Sequence, residues 1–145
     1  MRLTPCSALA VGIVVVGAVT LGNLRAQAAD ACSLLSSDKV AAALGVPEVK
    51  ASAGTNRCIW IPTKYAPGSK SVTLQLMDEK GFAAQRGRLD VTPVKGIGDE
   101  AVQTTGIPVL TVKKGNLYFA LSVHLPADQA KAAEQSLAKQ VVSRP

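Results

Sequence analysis

Two cysteines, Cys32 and Cys58, constrain the fold of this chain more than any other sequence feature. In an oxidising compartment, two cysteines in a small domain normally form a disulfide. A bond between them closes a loop of roughly 27 residues, which gives about 3.5 kcal/mol of stabilisation in the chain-entropy model. A reactive thiol pair is the alternative, but the chain has no Cys-x-x-Cys motif. The pair is therefore expected to join the first helix to the first strong strand.

Residues 1–28 have the pattern of a signal peptide. A basic start precedes an apolar run from Ala8 to Leu21, and Ala26-Gln27-Ala28 has the small-x-small pattern that signal peptidase accepts. An uncleaved membrane anchor is the alternative, because Leu3 to Leu24 carries no charge and a membrane span needs about 20 apolar residues. We predict cleavage after Ala28 and a periplasmic or secreted protein. Cys6 leaves with the signal.

Residues 29–145 then form a single domain without an obvious charged partner surface. Cleavage removes 28 of the 145 residues and leaves 117, enough for one modest core. Arg2 and Arg25 are lost from the 16 basic residues, so 14 remain against 10 acidic ones, a net charge of +4. No block of five or more like charges occurs. We therefore expect neither nucleic-acid binding nor membrane binding after cleavage.

Hydrophobic periodicity in this domain predicts an α+β fold. Helical patterns cover Leu34–Gly45, a weak segment Glu79–Leu89, and Pro126 to about Val142. The last helix is expected to bury Ala130, Ala133, Leu137 and Val141. Strand patterns cover Val46–Ala53, Arg57–Thr63, Ser71–Asp78, Val109–Val112 and Leu117–Leu125. Hairpins flanked by helices predict an antiparallel sheet of about 5–6 strands, with the N- and C-terminal helices packed on one face.

The candidate catalytic groups are few. The one histidine, His124, shares a strand face with Ser122 and Tyr118. Residues two apart on a strand lie about 6.6–7 Å apart, too far for the direct hydrogen bond that activates a serine. We therefore expect a surface histidine. A zinc site needs three or four His, Cys or carboxylate ligands, which this composition does not favour once the cysteines are bonded. No metal and no cofactor are predicted.

The segment Val94–Val102 reads as the most distinctive loop. Its Gly96-x-Gly98 is too short for a dinucleotide fingerprint, so these glycines are expected to supply backbone freedom in a tight loop. The adjacent carboxylates Asp99 and Glu100 could share acid–base work or hold calcium. Adjacent side chains on a strand point to opposite faces, so the two converge only if the loop is irregular.

Four short motifs carry a resemblance to known proteins. They are Cys32-Ser33-Leu34-Leu35, Val40-Ala41-Ala42-Ala43-Leu44-Gly45, Cys58-Ile59-Trp60 and Gly96-Ile97-Gly98-Asp99-Glu100-Ala101. In these motifs the chain resembles a broad group of small exported bacterial α+β domains of unknown function, some of them lipoproteins. The resemblance implies a bacterial origin, a disulfide and a compact α+β fold, and it implies no activity. This chain lacks the lipobox of the lipoprotein members, so no lipid anchor is expected.

Without a catalytic constellation, the chain is expected to be a non-enzymatic exported domain that binds a small ligand, a peptide or an envelope protein. The candidate binding residues are Trp60, Asp99, Glu100, Tyr118, Ser122 and His124. Core packing beside the disulfide is the preferred interpretation of Trp60, and ligand stacking is its alternative. The alternative function is a hydrolase or metal-assisted enzyme that uses Asp99 and Glu100.

Overall fold

The structure is a computed structural model that describes residues 30–64, residue 68 and residues 70–144. The predicted signal peptide, residues 1–28, lies outside the described residues. Among the residues described, no helix is both long enough and apolar enough to span a membrane.

The described residues form one antiparallel sheet of seven strands with three α-helices and one 3₁₀ turn. The strands are β1 (Val49–Gly54), β2 (Arg57–Pro62), β3 (Ser71–Met77), β4 (Val91–Pro93), β5 (Glu100–Thr104), β6 (Leu110–Lys114) and β7 (Leu117–His124). The helices are α1 (Ser37–Leu44), α2 (Glu79–Arg86) and α3 (Ala127–Val142), and the 3₁₀ turn is Ala31–Leu34. The α+β class is confirmed, whereas the expected count of 5–6 strands is wrong.

The sheet consists of two meanders joined at its centre. Its strand order is β1-β2-β3-β7-β6-β5-β4. Strands β1 to β3 follow one another, α2 then leads to β4 at the far edge, and β4 to β7 return to the middle. There β7 pairs with β3 from Ser71↔His124 to Met77↔Tyr118. The two central strands are therefore the last of each meander.

Strands β4 and β5 were not predicted, and β5 falls partly in the segment interpreted as a loop. Its residues Ala101, Val102, Gln103 and Thr104 are all buried, so both faces of this strand are covered. Polar residues on a strand normally indicate a solvent-facing side. Because two of the buried residues are polar, β5 has no alternating pattern, and β4 is only three residues long.

One face of the sheet, called here the core face, carries the hydrophobic core. Helices α1 and α3 contact each other, α1 packs on β1, β2 and β3, and α3 packs on β6 and β7. From the sheet, the large side chains buried in the core are those of Trp60, Val72, Leu74, Leu110, Val112, Phe119 and Leu121. The alternation predicted for Leu117, Phe119, Leu121 and Val123 in β7 is therefore seen, with Phe119, Leu121 and Val123 fully buried.

The disulfide lies on the same face. Cys32 stands in the 3₁₀ turn and bonds Cys58 of β2, with their Cα atoms 4.9 Å apart. The predicted bond is confirmed, but it joins the turn before α1 to the sheet, because α1 begins at Ser37 rather than at Leu34. Gly45 ends α1 in the left-handed conformation, with φ of 62°, and its N–H donates to the carbonyl groups of the last turn.

The opposite face, called here the second face, is only partly covered. Helix α2 packs on β3, β6 and β7, and the ring of Phe82 lies 5.8 Å from that of Tyr118. Toward the other end of the strands this face carries Ile59, Thr73 and Ser122 without a described helix above them. The sheet is thus covered by two helices on one side and by one short helix on the other.

Candidate ligand-binding groove

A groove of about 520 Å³ opens on the second face, between α2 and the loop that joins β5 to β6. Four separate parts of the chain build it: β3, the end of α2 with the residues after it, the end of β5 with the following loop, and β7. Its lining residues are Gln75, Met77, Gln85, Arg88, Asp90, Thr104, Ile107, Val109 and Ala120. The groove, called here the α2 groove, is mixed in character, with apolar side chains beside amides and an ion pair.

The floor of the α2 groove is formed by the central strand pair. Gln75 of β3 lies directly opposite Ala120 of β7. Ala120 stands between Tyr118 and Ser122 on the same face of β7, because side chains alternate along a strand. Ala120 has only a methyl side chain, so it leaves space above the sheet that a larger side chain at this position would occupy.

One wall is the loop after β5, and a buried threonine fixes its shape. The Thr104 hydroxyl donates to the carbonyl of Ile107 and accepts from the N–H of Val109 at 2.9 Å. This arrangement holds Ile107 outward, where 81% of its surface is exposed beside the groove. Ile107 therefore offers apolar surface at the margin of the groove.

The segment after α2 contributes an ion pair to the lining. The Arg88 guanidinium donates to both carboxylate oxygens of Asp90, at 2.8 and 2.7 Å. The hydrogen bond from Arg88 lowers the pKa of the Asp90 carboxyl, and Asp90 in turn raises the pKa of Arg88. The Asp90 carbonyl accepts from the N–H of Thr105 at 2.8 Å, which joins this segment to the loop after β5.

Three predicted site residues on β7 share the second face but do not converge. Tyr118 lies under α2, and the Lys113 ammonium is 5.7 Å from its ring centre. The Ser122 hydroxyl donates to the Pro108 carbonyl at 3.4 Å, and His124 is exposed at the end of the strand. Six residues separate Tyr118 from His124, which is about 20 Å along a strand. The α2 groove opens between them, over Ala120.

The two adjacent carboxylates have separate structural partners. Asp99 accepts from the N–H of Gly115 at 2.6 Å and lies 3.3 Å from the Lys114 ammonium. The Gly115 hydrogen bond, followed by the Lys114 contact, lowers the pKa of Asp99. Glu100 instead pairs with Arg86 of α2 at 3.3 Å. Each carboxylate therefore ties a loop or helix to the sheet, and neither lines the α2 groove.

The glycine loop before these carboxylates is a structural clamp. Gly98 has φ of 60°, and a Cβ at this position would clash with the carbonyl oxygen of Lys113. The N–H of Asp99 donates to that same carbonyl at 2.8 Å. Ile97 is buried in the core. Only glycine permits this close approach of the loop to β6.

Trp60, the remaining predicted site residue, lies on the core face and is 0% exposed. Its neighbour across the strand pair is Val72, which is equally buried. The α2 groove lies on the other side of the sheet from Trp60. The side chain has the environment that the core-packing interpretation requires.

Glu134 is a buried acidic residue that sequence analysis did not single out. It faces the sheet from α3, where its carboxylate accepts from the Gln103 amide at 2.7 Å and from the N–H of Val123 at 3.0 Å. Burial raises the pKa of Glu134 above 4.5, although these two hydrogen bonds oppose the shift. The spacing of positions 130, 134, 137 and 141 was the available signal, because these positions form one helical stripe. The predicted stripe used Ala133 instead.

A second, smaller concavity of about 290 Å³ lies where α1 meets the end of α3. Its lining residues are Leu34, Leu35, Ser36, Lys39, Gln140, Ser143 and Arg144. In the part of the chain that the structure describes, no group of three or more His, Cys, Asp or Glu residues is placed to hold a metal ion.

A scan against protein-family models, a search of curated proteins and a search of solved structures each gave no match. Function is therefore inferred from the groove and from the residues that surround it.

Proposed function

We propose that this protein is an exported, non-enzymatic domain that binds a small amphipathic ligand in the α2 groove. The observation that carries the proposal is the groove itself, which opens on the less covered face of the sheet and has a volume of about 520 Å³. Ligand sites in proteins typically have volumes of about 300–1,000 Å³. The α2 groove lies within that range, and the concavity beside α1 lies at its lower limit.

The lining indicates the chemical class of the ligand. Met77, Ile107 and Val109 offer an apolar surface to a hydrocarbon or aromatic part. Gln75 and Gln85 each offer one amide oxygen as an acceptor and an amide nitrogen with two donor hydrogens. These groups suit a ligand that combines an apolar body with uncharged hydrogen-bonding groups, such as an amide or an alcohol.

The cellular setting is part of the same proposal. The signal-like residues 1–28 favour export, and the Cys32–Cys58 bond is compatible with an oxidising compartment. Export of this kind matches the resemblance to small bacterial exported domains of unknown function. We propose membership of that group on the same four motifs.

The enzymatic alternative stays a prediction without an observation in its favour. Asp99 and Glu100 bind different partners, and a general acid or base works best when its pKa lies near the operating pH. The pKa of Asp99 is shifted the other way, below its ordinary value. Unchanged turnover of any substrate by the Asp99→Asn and Glu100→Gln variants would remove this alternative.

The proposed function can be tested by screening small amphipathic amides and alcohols for a rise in the unfolding midpoint. A ligand that binds only the folded state at 100 times its Kd adds about 2.7 kcal/mol of stability. Ile107→Ser removes apolar surface at the groove and should weaken binding of a hit at least fivefold. Ile107 is largely exposed, so the unfolding midpoint of the free variant should stay near that of the unmodified protein.

Leu89→Ser is the matched control, because Leu89 is fully exposed, at 105%, and does not line the groove. The proposal expects this variant to bind the hit with unchanged affinity. Equal loss of affinity in both variants, or a screen that yields no stabilising compound, would contradict a ligand site in the α2 groove.

A further inference from the structure

The two edges of the sheet differ in the backbone groups that they offer to another chain. Strand β1 forms one edge with six residues, and β4 forms the other with three. An edge strand presents unpaired N–H and C=O groups, and proteins commonly block such edges with proline or with short strands. Strand β4 has both of these features, whereas β1 has neither.

The hydrogen-bond phase of β1 shows which of its groups point outward. Gly54 and Arg57 flank a two-residue turn, so their backbone N–H and C=O groups bond to each other. From Gly54 back along β1, every second residue therefore bonds to β2. The Glu48 carbonyl accepts from the N–H of Thr63 at 3.2 Å, which agrees with this alternation because Glu48 and Gly54 are both even-numbered positions. The outward N–H and C=O groups of β1 therefore belong to Val49, Ala51 and Ala53, of which Ala51 and Ala53 are exposed whereas Val49 is buried. No described strand pairs with this edge.

The same reasoning shows why the β4 edge is closed. The N–H of Val94 donates to Ala101, and the N–H of Thr105 donates to Asp90, so even-numbered positions of this segment bond to β5. Pro93 consequently occupies an outward position, where a proline has no N–H to offer. Val91 is then the one residue of β4 with an outward N–H.

Two cations lie along the open edge on the second face of the sheet. The Arg57 Nε is 3.5 Å from the point at which a Cβ on Gly54 would stand, so the guanidinium lies over the edge strand. Lys50 points to the same face, four residues from Gly54, or about 13 Å along the strand. Among the described residues, no carboxylate lies within ion-pair distance of either cation. The nearby acid Glu48 accepts from the Thr63 hydroxyl at 2.9 Å.

We propose that the β1 edge binds an extended, acidic segment of a partner protein by strand addition. Backbone bonds to the exposed residues Ala51 and Ala53 would supply the affinity, and alternate side chains would supply the specificity. Residues of the segment opposite Lys50 and Gly54 would be acidic, because the second of these positions lies beneath the Arg57 guanidinium. Along the partner segment the expected order of side chains is acidic, apolar, polar, apolar, acidic. This order is the same in both chain directions.

A second copy of this chain is a poorer occupant of the edge. Two-fold pairing of β1 with itself keeps the second faces of both copies on one side, so Lys50 and Arg57 of each copy would share a single surface. Like charges brought together in this way oppose association. A segment with acids at both ends instead neutralises Lys50 and Arg57.

The test uses the peptide acetyl-Glu-Val-Thr-Val-Glu-amide and its counterpart with lysine at both ends. We expect the acidic peptide to shift amide resonances of Ala51 and Ala53 in NMR titration, with at least tenfold tighter Kd than the basic peptide. The preference should weaken as salt is added, because exposed charges are screened. Ala51→Pro removes one outward N–H and should raise the Kd at least tenfold.

Val91→Pro is the matched control, since it removes the corresponding group at the other edge and should leave the Kd unchanged. If Ala51→Pro fails to fold, the double variant Lys50→Glu/Arg57→Glu is the alternative test. This variant should bind the basic peptide more tightly than the acidic one. The proposal is overturned by equal affinity for both peptides in the unmodified protein, or by β1 resonances that depend on protein concentration and so report self-pairing. Ile107→Ser should not affect this binding, which separates it from the α2 groove.

Discussion

The two faces of the sheet differ in how much of the structure depends on them. The core face carries α1, α3, the disulfide and Trp60, and its large side chains are fully buried. The second face carries one helix of eight residues and an open groove. The difference indicates that stability is concentrated on one side of the sheet. The other side can then keep exposed polar and apolar groups, which the proposed ligand site requires.

Large-to-small substitutions should separate the two faces most clearly. We expect Trp60→Ala to lower the free energy of unfolding by about 3–5 kcal/mol, because the residue is enclosed by the sheet and the helices above it. Phe82→Ala on α2 should lower it by about 3 kcal/mol, the lower end of that range, since that helix can shift to close the cavity. Urea denaturation measures both values. Equal losses would mean that the second face is as important for stability as the core face.

The disulfide sharpens the comparison because it acts on the core face alone. The double variant Cys32→Ala/Cys58→Ala should lose about 3.5 kcal/mol of stability through the greater entropy of its unfolded chain. Amide hydrogen exchange should rise most around the 3₁₀ turn and β2. Amides of α2 should exchange through local opening at the same rate in both proteins. A selective rise in α2 would break the proposed independence of the faces.

The smallest expected difference in stability between the two faces concerns two acidic residues. Glu134→Leu leaves the Gln103 amide and the Val123 N–H without their partner and should cost about 2–3 kcal/mol. Glu100→Gln on the second face removes an exposed pair with Arg86 and should cost less than about 1 kcal/mol. Chemical denaturation at neutral pH compares them. A larger effect at Glu100 would contradict the assignment of stability to the core face.

The same comparison has a pH dependence with a defined sign. Burial raises the pKa of Glu134 in the folded state above the ordinary value of 4.5. Between these two values the folded state holds the proton more tightly than the unfolded state does. The protonated Glu134 carboxyl therefore contributes to stability below pH 4.5, and this contribution falls as pH rises through the folded-state pKa. Glu134→Gln should lack this fall when the free energy of unfolding is followed from pH 4 to pH 8.

Much of the fold could be predicted from local patterns. The alternation along β7, the glycine that ends α1 and the cysteine spacing each indicate a feature that depends on neighbouring residues or on covalent chemistry. Strand β5 could not be predicted, because its buried residues Gln103 and Thr104 form hydrogen bonds with partners that are distant in the fold or lie beyond the strand end. Sequence periodicity carries no information about such partners.

The α2 groove could not be predicted from the sequence for a related reason. Its lining comes from four segments that are brought together only when α2 leads from β3 to the far edge. The face of β7 that bears Tyr118, Ser122 and His124 was correctly assigned, yet the residue of that face that lines the groove is Ala120. A small side chain gives no sign in the sequence that the space above it is open.

The central pairing of β3 with β7 also has a kinetic consequence. Within each meander, partners lie close in sequence, whereas 41 residues separate Met77 from Tyr118 and 53 separate Ser71 from His124. Closing a long loop costs entropy before its contacts form, so folding rates fall as contacts become less local. We therefore expect the hairpins on either side to form first, and the joining of the two halves to limit the rate at which this chain reaches its native state.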